Sequence, residues 1–143
     1  MALVSDILSR KGKDVVTVSP RQTVMEAVRR MNERKIGAVM VLDGETVAGI
    51  FTERDLLNRV VAKRLDPGKI DIGTVMTTPI AYCSPETSIA DCRSAMTQKK
   101  IRHLPVVEGG KLAGLISIGD LMAWELSEHE STIRYLNEYI YGR

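Results

Sequence analysis

Hydrophobic residues recur with helical spacing soon after the first Ser-Pro pair of the chain. Four apolar side chains fall 3, 4 and 7 positions apart: Val24, Ala27, Val28 and Met31. This spacing is typical of a helix with one buried face. Thr23 stands directly before it and an acidic residue follows three positions later, which is the spacing of a capping box. The pattern therefore predicts an amphipathic helix that begins after Thr23.

Two pairs of apolar runs show a different pattern, because each pair is joined by turn residues. The first, "AVMVLDGETVAGIF", contains Asp43-Gly44, and the second, "LPVVEGGKLAGLI", contains Gly109-Gly110. These dipeptides favour the tight turn of an antiparallel hairpin. We therefore predict two β-hairpins.

The order of elements repeats along the chain with a period of 65 residues. Residues 15–60 align with their shifted copy without a gap, and 11 of the 46 positions are identical. Each copy predicts a strand (15–18 or 80–83), a helix, a hairpin and a second helix that begins near Glu53 or Ile118. Two copies are too few for a solenoid, so we expect two similar halves that bury their faces against each other.

The expected fold class is α+β, built from two tandem β-α-β-β-α units. We divide the chain into an N-terminal lead-in with a short helix, a first repeat, a linker with a short helix, a second repeat and a C-terminal helix. Their bounds are 1–14, 15–63, 64–79, 80–126 and 127–143. An apolar stripe at residues 133, 136 and 140 predicts the last helix, which either folds back on its own chain or packs on a partner.

Composition narrows the function classes. The net charge of +2 comes from basic and acidic residues spread along the chain, so a nucleic-acid interface is not expected. No apolar run reaches the roughly 18 residues that a membrane span requires. Cys83 and Cys92 have neither metal-ligand nor CxxC spacing, and we expect reduced core residues in a cytoplasmic protein with no metal site.

One short motif occurs in both copies, as "GIFTERDLL" (49–57) and "GLISIGDLM" (114–122). Thr52 to Asp55 and Ser117 to Asp120 have capping-box spacing, so one interpretation is a simple helix cap. The alternative is a ligand site, since a strand that leads directly into a helix start presents free N–H groups to a phosphate. A carboxylate there would suit the ribose hydroxyls of a nucleotide. Spacing alone favours the helix cap, whereas the strand and the glycine that precede the hydroxyl favour the ligand site.

The chain resembles two tandem cystathionine β-synthase (CBS) domains, a paired module (Bateman module) that binds adenosine-containing ligands in its clefts. The resemblance rests on both copies of the motif, the Ser-Pro before each first helix, "KIGAVMV", "IRHLPVV" and "TVMTTP". It is similar in particular to small stand-alone bacterial CBS-pair proteins. The resemblance implies packing of the repeats by pseudo-twofold symmetry and association as a homodimer. It also implies that Thr52 and Asp55 serve one pocket and that Ser117 and Asp120 serve the other. Further pocket residues implied by the resemblance are Thr17, Val18, Gly37, Ala38 and Val39 with Tyr82, Cys83, Arg102, His103 and Pro105.

The two copies differ next to the motif. Gly37-Ala38 in the first copy corresponds to Arg102-His103 in the second, and Arg54 corresponds to Gly119. A cationic pair at the start of a strand suits a polyphosphate tail, so we expect Arg102 to favour a charged ligand. Tyr82 is the aromatic residue that we expect to contribute to recognition of an adenine.

The expected function is a regulatory sensor of an adenosine-containing ligand, of which AMP, ADP, ATP, NAD and S-adenosylmethionine are candidates, acting on a separate, unidentified target protein. The alternative is a ligand-independent dimeric scaffold. The chain lacks a phosphate-binding loop, a GxGxxG fingerprint, a GxSxG elbow and an HExxH motif, so it is not expected to be an enzyme.

Overall fold

The computed structural model describes residues 1–128, and the C-terminal helix expected from the sequence lies almost entirely outside the described residues. The helices are α1 (Val4–Lys11), α2 (Val24–Arg34), α3 (Glu53–Asp55), α4 (Ile72–Val75), α5 (Ile89–Lys99) and α6 (Ile118–Ser127), and a π-helix covers Leu56–Val61. The strands are β1 (Thr17–Val18), β2 (Ala38–Asp43), β3 (Thr46–Thr52), β4 (His103–Glu108) and β5 (Lys111–Ser117). The order agrees with a duplicated α+β unit.

Each copy contains the antiparallel hairpin that its turn residues predict. In the first copy β2 pairs with β3, and β1 adds a parallel strand on the other side of β2. In the second copy β4 pairs with β5. The turn glycines have positive φ angles, +65° at Gly44 and +59° and +77° at Gly109 and Gly110, a conformation that glycine adopts without steric cost. The turn chemistry therefore sets both hairpins.

The predicted strand at 80–83 is wrong, because only Cys83 forms a bridge there, to Val106. Pro105 supplies the physical reason. In the first copy, the backbone nitrogen of Met40 donates to the Val16 carbonyl at 3.1 Å and extends the pairing. Pro105 occupies the corresponding position 65 residues later and has no N–H to donate. The first-copy strand is also shorter than predicted, two residues rather than four.

The core has three parts, and the middle part joins the two sheets. There the side chains of Ala38, Met40 and Ile50 from the first sheet contact those of Leu112 and Leu115 from the second. A second part lies between the first sheet and α2, and a third between the second sheet and α5. The two halves thus bury their sheet faces against each other, as expected from the duplication.

The short helices α1 and α4 cover opposite copies. Helix α1 buries Val4, Ile7 and Leu8 in the core of the second copy, whereas α4 buries Ile72 and Val75 in the core of the first. Helix α1 therefore packs on the copy that is distant in sequence, whereas α4 packs on the copy that directly precedes it. This placement brings the end of α1 to the second motif.

Candidate functional site

The first motif lies where β3 ends and α3 begins. The Asp55 carboxylate is buried, with 5% of the residue exposed. Its Oδ2 accepts hydrogen bonds from the Thr52 backbone nitrogen at 3.0 Å and from the Thr52 hydroxyl at 3.3 Å, and its Oδ1 accepts one from the Thr77 hydroxyl at 2.8 Å. The Asp55 nitrogen donates in turn to the Thr52 hydroxyl. The predicted capping box is therefore formed.

A cation completes this network. The Arg59 Nε lies 3.6 Å from Asp55 Oδ1, and its Nη1 donates to the Met76 carbonyl at 2.9 Å. Arg59 lies in the π-helix, an element that is rare and often found at functional sites. Neither the π-helix nor the Arg59 contact was predicted from the sequence. The i, i+4 spacing of Asp55 and Arg59 is the signal that would have indicated their pairing.

The second motif has the same cap but a different cation. The Ser117 nitrogen donates to Asp120 Oδ2 at 2.8 Å, and the Asp120 nitrogen donates to the Ser117 hydroxyl at 3.1 Å. Here the cation is Lys11 from α1, whose Nζ lies 2.8 Å from Asp120 Oδ2. A contact between residues 109 positions apart leaves no local signal in the sequence, so Lys11 was not predicted.

A cleft of about 910 Å³ opens beside the first motif, and both copies line it. The predicted site residues on its wall are Gly37, Thr52, Arg54, Asp55, Arg102, His103 and Pro105. Further lining residues that the sequence analysis missed are Ile50, Glu53, Leu57, Asn58, Thr77, Pro79, Ile80, Ala81, Lys99 and Ile101. The cleft thus joins the Thr52 motif of the first copy to the Arg102-His103 pair of the second.

The remaining predicted residues lie elsewhere. Val18, Ala38, Val39 and Cys83 are buried in the core. Thr17 lies in β1, while Tyr82 is 65% exposed and does not line the cleft. Ser117 and Asp120 are also absent from its wall. Cys83 and Cys92 are both buried and form no disulfide, as the sequence predicted.

Charged groups of both signs face the cleft. Arg102 and Lys99 supply positive charge, and Glu53 supplies negative charge. Arg54 donates from its Nη1 to the Lys100 carbonyl at 2.6 Å, so it ties the motif of the first copy to the end of α5 in the second. The cleft can therefore accept a ligand that carries both polar and anionic groups.

His103 lies at the contact between the copies. A Cβ placed on Gly37 would lie 3.3 Å from both the His103 Cε1 and the Glu53 Cδ, so Gly37 permits this close approach. Burial lowers the pKa of His103 below its ordinary value of 6.5, although the nearby carboxylates of Glu53 and Asp120 oppose the shift. The positive charges of Lys11 and Arg102 act in the same direction as burial. The cleft environment thus disfavours the charged form of His103.

Two pseudo-equivalent α+β units, with a strand-to-helix motif in each and a cleft lined by both, define a paired module of tandem repeats. The CBS domain family model matches residues 4–62 and 72–127, and the chain belongs to this family.

Relatives and solved structures agree with this assignment. The chain is 33% identical over 131 residues to the CBS domain-containing protein YhcV of Bacillus subtilis, covering 92% of this chain and 91% of that protein. It is 40% identical to the CBS-domain containing protein ATU1752 of Agrobacterium tumefaciens, with a TM-score of 0.82 over 87% of this chain and 99% of that one. The CBS domain pair of protein MJ0100, in complex with 5-methylthioadenosine and S-adenosyl-L-methionine, shares the fold. Its TM-score is 0.79 at 22% identity, covering 90% of this chain and 98% of that one.

Across residues 1–128, no helix combines the length and apolar character needed to cross a membrane.

Proposed function

We propose that this protein is a non-catalytic regulatory module that binds an adenosine-containing ligand in the cleft between its repeats and signals to a separate protein. The observation that carries the proposal is the cleft itself, which joins the Thr52 motif to cationic side chains of the other copy. Its volume of about 910 Å³ suits a nucleotide, since small-molecule pockets measure about 300–1,000 Å³. The complex of the MJ0100 pair with two adenosine derivatives supports this ligand class.

The Asp55 contacts indicate how a ribose would bind. Both carboxylate oxygens already have partners, and the longest hydrogen bond comes from the Thr52 hydroxyl at 3.3 Å. A ribose hydroxyl can replace this weakest donor while the other bonds remain. The freed Thr52 hydroxyl then becomes available to a phosphate oxygen. Ribose and phosphate are thereby bound by the two ends of one capping box.

The wall of the cleft contains both aliphatic and cationic side chains. Ile50, Ile80 and Pro105 offer aliphatic surface to an adenine, and Arg102 and Lys99 offer positive charge to a phosphate chain. Arg54 is held by the Lys100 carbonyl and therefore has less freedom to follow a ligand. We infer that Arg102 provides the selectivity for charge.

The test is isothermal titration of the full chain with adenosine, AMP, ADP, ATP, NAD and S-adenosylmethionine. We expect Arg102→Ala to weaken ATP binding by tenfold or more and adenosine binding by less than twofold. Arg21→Ala is the matched control, because the Arg21 side chain is 74% exposed and lies 3.4 Å from Asp43, outside the cleft wall. Equal losses for ATP and adenosine would contradict the role of Arg102.

The second candidate is a scaffold that binds no ligand. The observation in its favour is that both motif aspartates are satisfied as helix caps by protein groups alone. A failure of all six compounds to bind, in protein shown to carry no co-purified nucleotide, would favour this candidate. Binding of any of them at the cleft would exclude it.

We also propose that the protein is a cytoplasmic homodimer. The π-helix carries two exposed apolar side chains, Leu57 at 61% and Val61 at 59%, and α6 carries Met122 at 57%. Apolar side chains on such a surface favour burial against a second copy. The two reduced cysteines suit the cytoplasm.

A further inference from the structure

The two copies of the motif differ in the group that covers them. In the first copy Thr77 donates twice: its backbone nitrogen to the Ile50 carbonyl at 2.8 Å and its hydroxyl to Asp55 at 2.8 Å. In the second copy Leu115 and Asp120 occupy the positions 65 residues later. Both accept from a single ammonium, because Lys11 Nζ donates to the Leu115 carbonyl at 2.9 Å and to Asp120 at 2.8 Å. Lys11 thus replaces both donors of Thr77.

The length of the covering helix explains the difference. Helices α1 and α4 begin in the same way, since the Val4 nitrogen donates to the Thr87 carbonyl and the Ile72 nitrogen donates to the Gln22 carbonyl, each at 2.8 Å. Helix α4 then ends after four residues, and the chain becomes extended and pairs with β3. Helix α1 continues for eight residues. The additional turn carries Lys11 over the end of β5.

The end of α1 is held in this position by neighbouring contacts. The Arg10 guanidinium lies over the Trp124 ring, 4.1 Å from its centroid, and donates to the Ser127 hydroxyl at 2.6 Å. Trp124 occupies the position that corresponds to Arg59 in the first copy. The second copy therefore has no i+4 arginine for its motif aspartate. Lys11 supplies the charge that Arg59 supplies to Asp55.

The space beside the two aspartates differs accordingly. The cavity that reaches Asp120 measures about 80 Å³ and is lined by Lys11, Arg10 and Trp124 among others. The cleft at Asp55 measures about 910 Å³. A ribose at Asp120 would have to displace an ammonium that is bound to two acceptors, the Asp120 carboxylate and the Leu115 carbonyl.

We infer that the chain's own Lys11 closes the Ser117–Asp120 site, so that each chain binds one ligand, at the Thr52–Asp55 cleft. This inference rests on the proposed function for the identity of the ligand but not for the closure. Lys11 acts as an internal cation that satisfies Asp120 and the adjoining strand carbonyl in the place of an external ligand. The asymmetry is a property of α1, which lies outside both copies of the motif.

Titration of the full chain with AMP tests the stoichiometry. We expect one AMP per chain in the wild type and in Asp120→Asn, and no binding in Asp55→Asn. Lys11→Ala should raise the stoichiometry to two, because it removes the ammonium that occupies Asp120. Helix α1 should stay in place, since Val4, Ile7 and Leu8 anchor it and each is at most 3% exposed. Lys111→Ala is the matched control. This lysine is 72% exposed and lies 3.7 Å from Glu45, so its loss should leave the stoichiometry at one.

Two results of this titration would overturn the inference: two AMP molecules bound by the wild type, or one AMP bound by Lys11→Ala. Absence of binding in every variant would contradict the proposed nucleotide ligand instead. The closure has a separate test that needs no ligand, a double-mutant cycle of Lys11→Ala and Asp120→Asn followed by thermal unfolding. We expect the midpoint shift of the double variant to be smaller than the sum of the single shifts. Additive shifts, as expected for Lys111→Ala with Glu45→Gln, would refute the closure.

Discussion

Replacing Asp55 with alanine should destabilise the ligand-free protein more than the same replacement of Asp120. The two aspartates share a motif and a capping box but differ in burial. Asp55 is 5% exposed and accepts from the Thr77 hydroxyl in addition to Thr52. The Asp120 side chain is 23% exposed and pairs with Lys11, whose side chain is 36% exposed. Since a cation contacts each aspartate, Arg59 at Asp55 and Lys11 at Asp120, the comparison mainly tests burial and the extra hydrogen bond.

The magnitudes follow from the contacts. Each replacement removes the capping-box hydrogen bond that the carboxylate accepts from the Thr52 or Ser117 nitrogen, which contributes about 1 kcal/mol. Loss of the buried hydrogen bonds to the Asp55 carboxylate, which leaves the Thr77 hydroxyl without its acceptor, adds about 2 kcal/mol. Loss of the half-exposed Lys11–Asp120 pair adds only about 0.5 kcal/mol. The expected losses are thus about 3 kcal/mol for Asp55→Ala and about 1.5 kcal/mol for Asp120→Ala.

Urea unfolding followed by circular dichroism, with no nucleotide present, measures both losses. Thermal melting provides a second measurement, because a loss of 1 kcal/mol in the free energy of unfolding lowers the melting midpoint by about 3 °C in a domain of this size. We expect decreases of about 9 °C and about 4 °C, with unchanged dependence on urea concentration. A loss for Asp120→Ala that equals or exceeds the loss for Asp55→Ala would refute the reasoning from burial.

Three further predictions test other parts of the structure. Burial lowers the pKa of His103, so the unfolded chain takes up a proton before the folded chain does as the pH falls below 6.5, and the stability of the fold decreases. In melting experiments at different pH values, His103→Gln should reduce this loss of stability. Gly49→Ala should destabilise more than Gly114→Ala in urea, because the new methyl group meets a backbone oxygen at 2.7 Å rather than the Leu8 side chain, which can move. Val61→Glu should convert the proposed dimer to a monomer in sedimentation velocity, and an unchanged dimer would place the interface elsewhere.

Local chemistry allowed much of the fold to be predicted. The hairpins depend on glycines at their turns, and the caps of α2 and α5 depend on Thr23 and Ser88, whose hydroxyls accept from the backbone three residues on. Each of these signals acts over a few residues, so the sequence shows it directly. The duplication then predicted the second half from the first. The strand predicted at 80–83 was wrong because of Pro105. This residue lies on the neighbouring strand, and its effect on pairing is not visible when the two copies are simply aligned.

The candidate site was less accessible to prediction because it depends on packing between the copies. The motif residues Thr52 and Asp55 were correctly placed at a strand-to-helix junction by local pattern. The association of their cleft with Arg102 and His103 depends on how the two sheets pack, which no local pattern encodes. The π-helix was also missed, because its pairing differs from an α-helix by one residue while its apolar pattern is similar.

Corresponding motif residues therefore do not determine equivalent sites in this chain. The Asp55 carboxylate obtains its cation four residues later on the same segment, whereas Asp120 obtains one from a helix 109 residues earlier. A local partner leaves the adjoining cleft open, because Arg59 reaches back toward the end of α4 and not across the cleft. A remote partner, Lys11, binds both Asp120 and the Leu115 carbonyl and so occupies the space over the strand end. The difference between an open and a closed site thus follows from which segment of the chain supplies the cation.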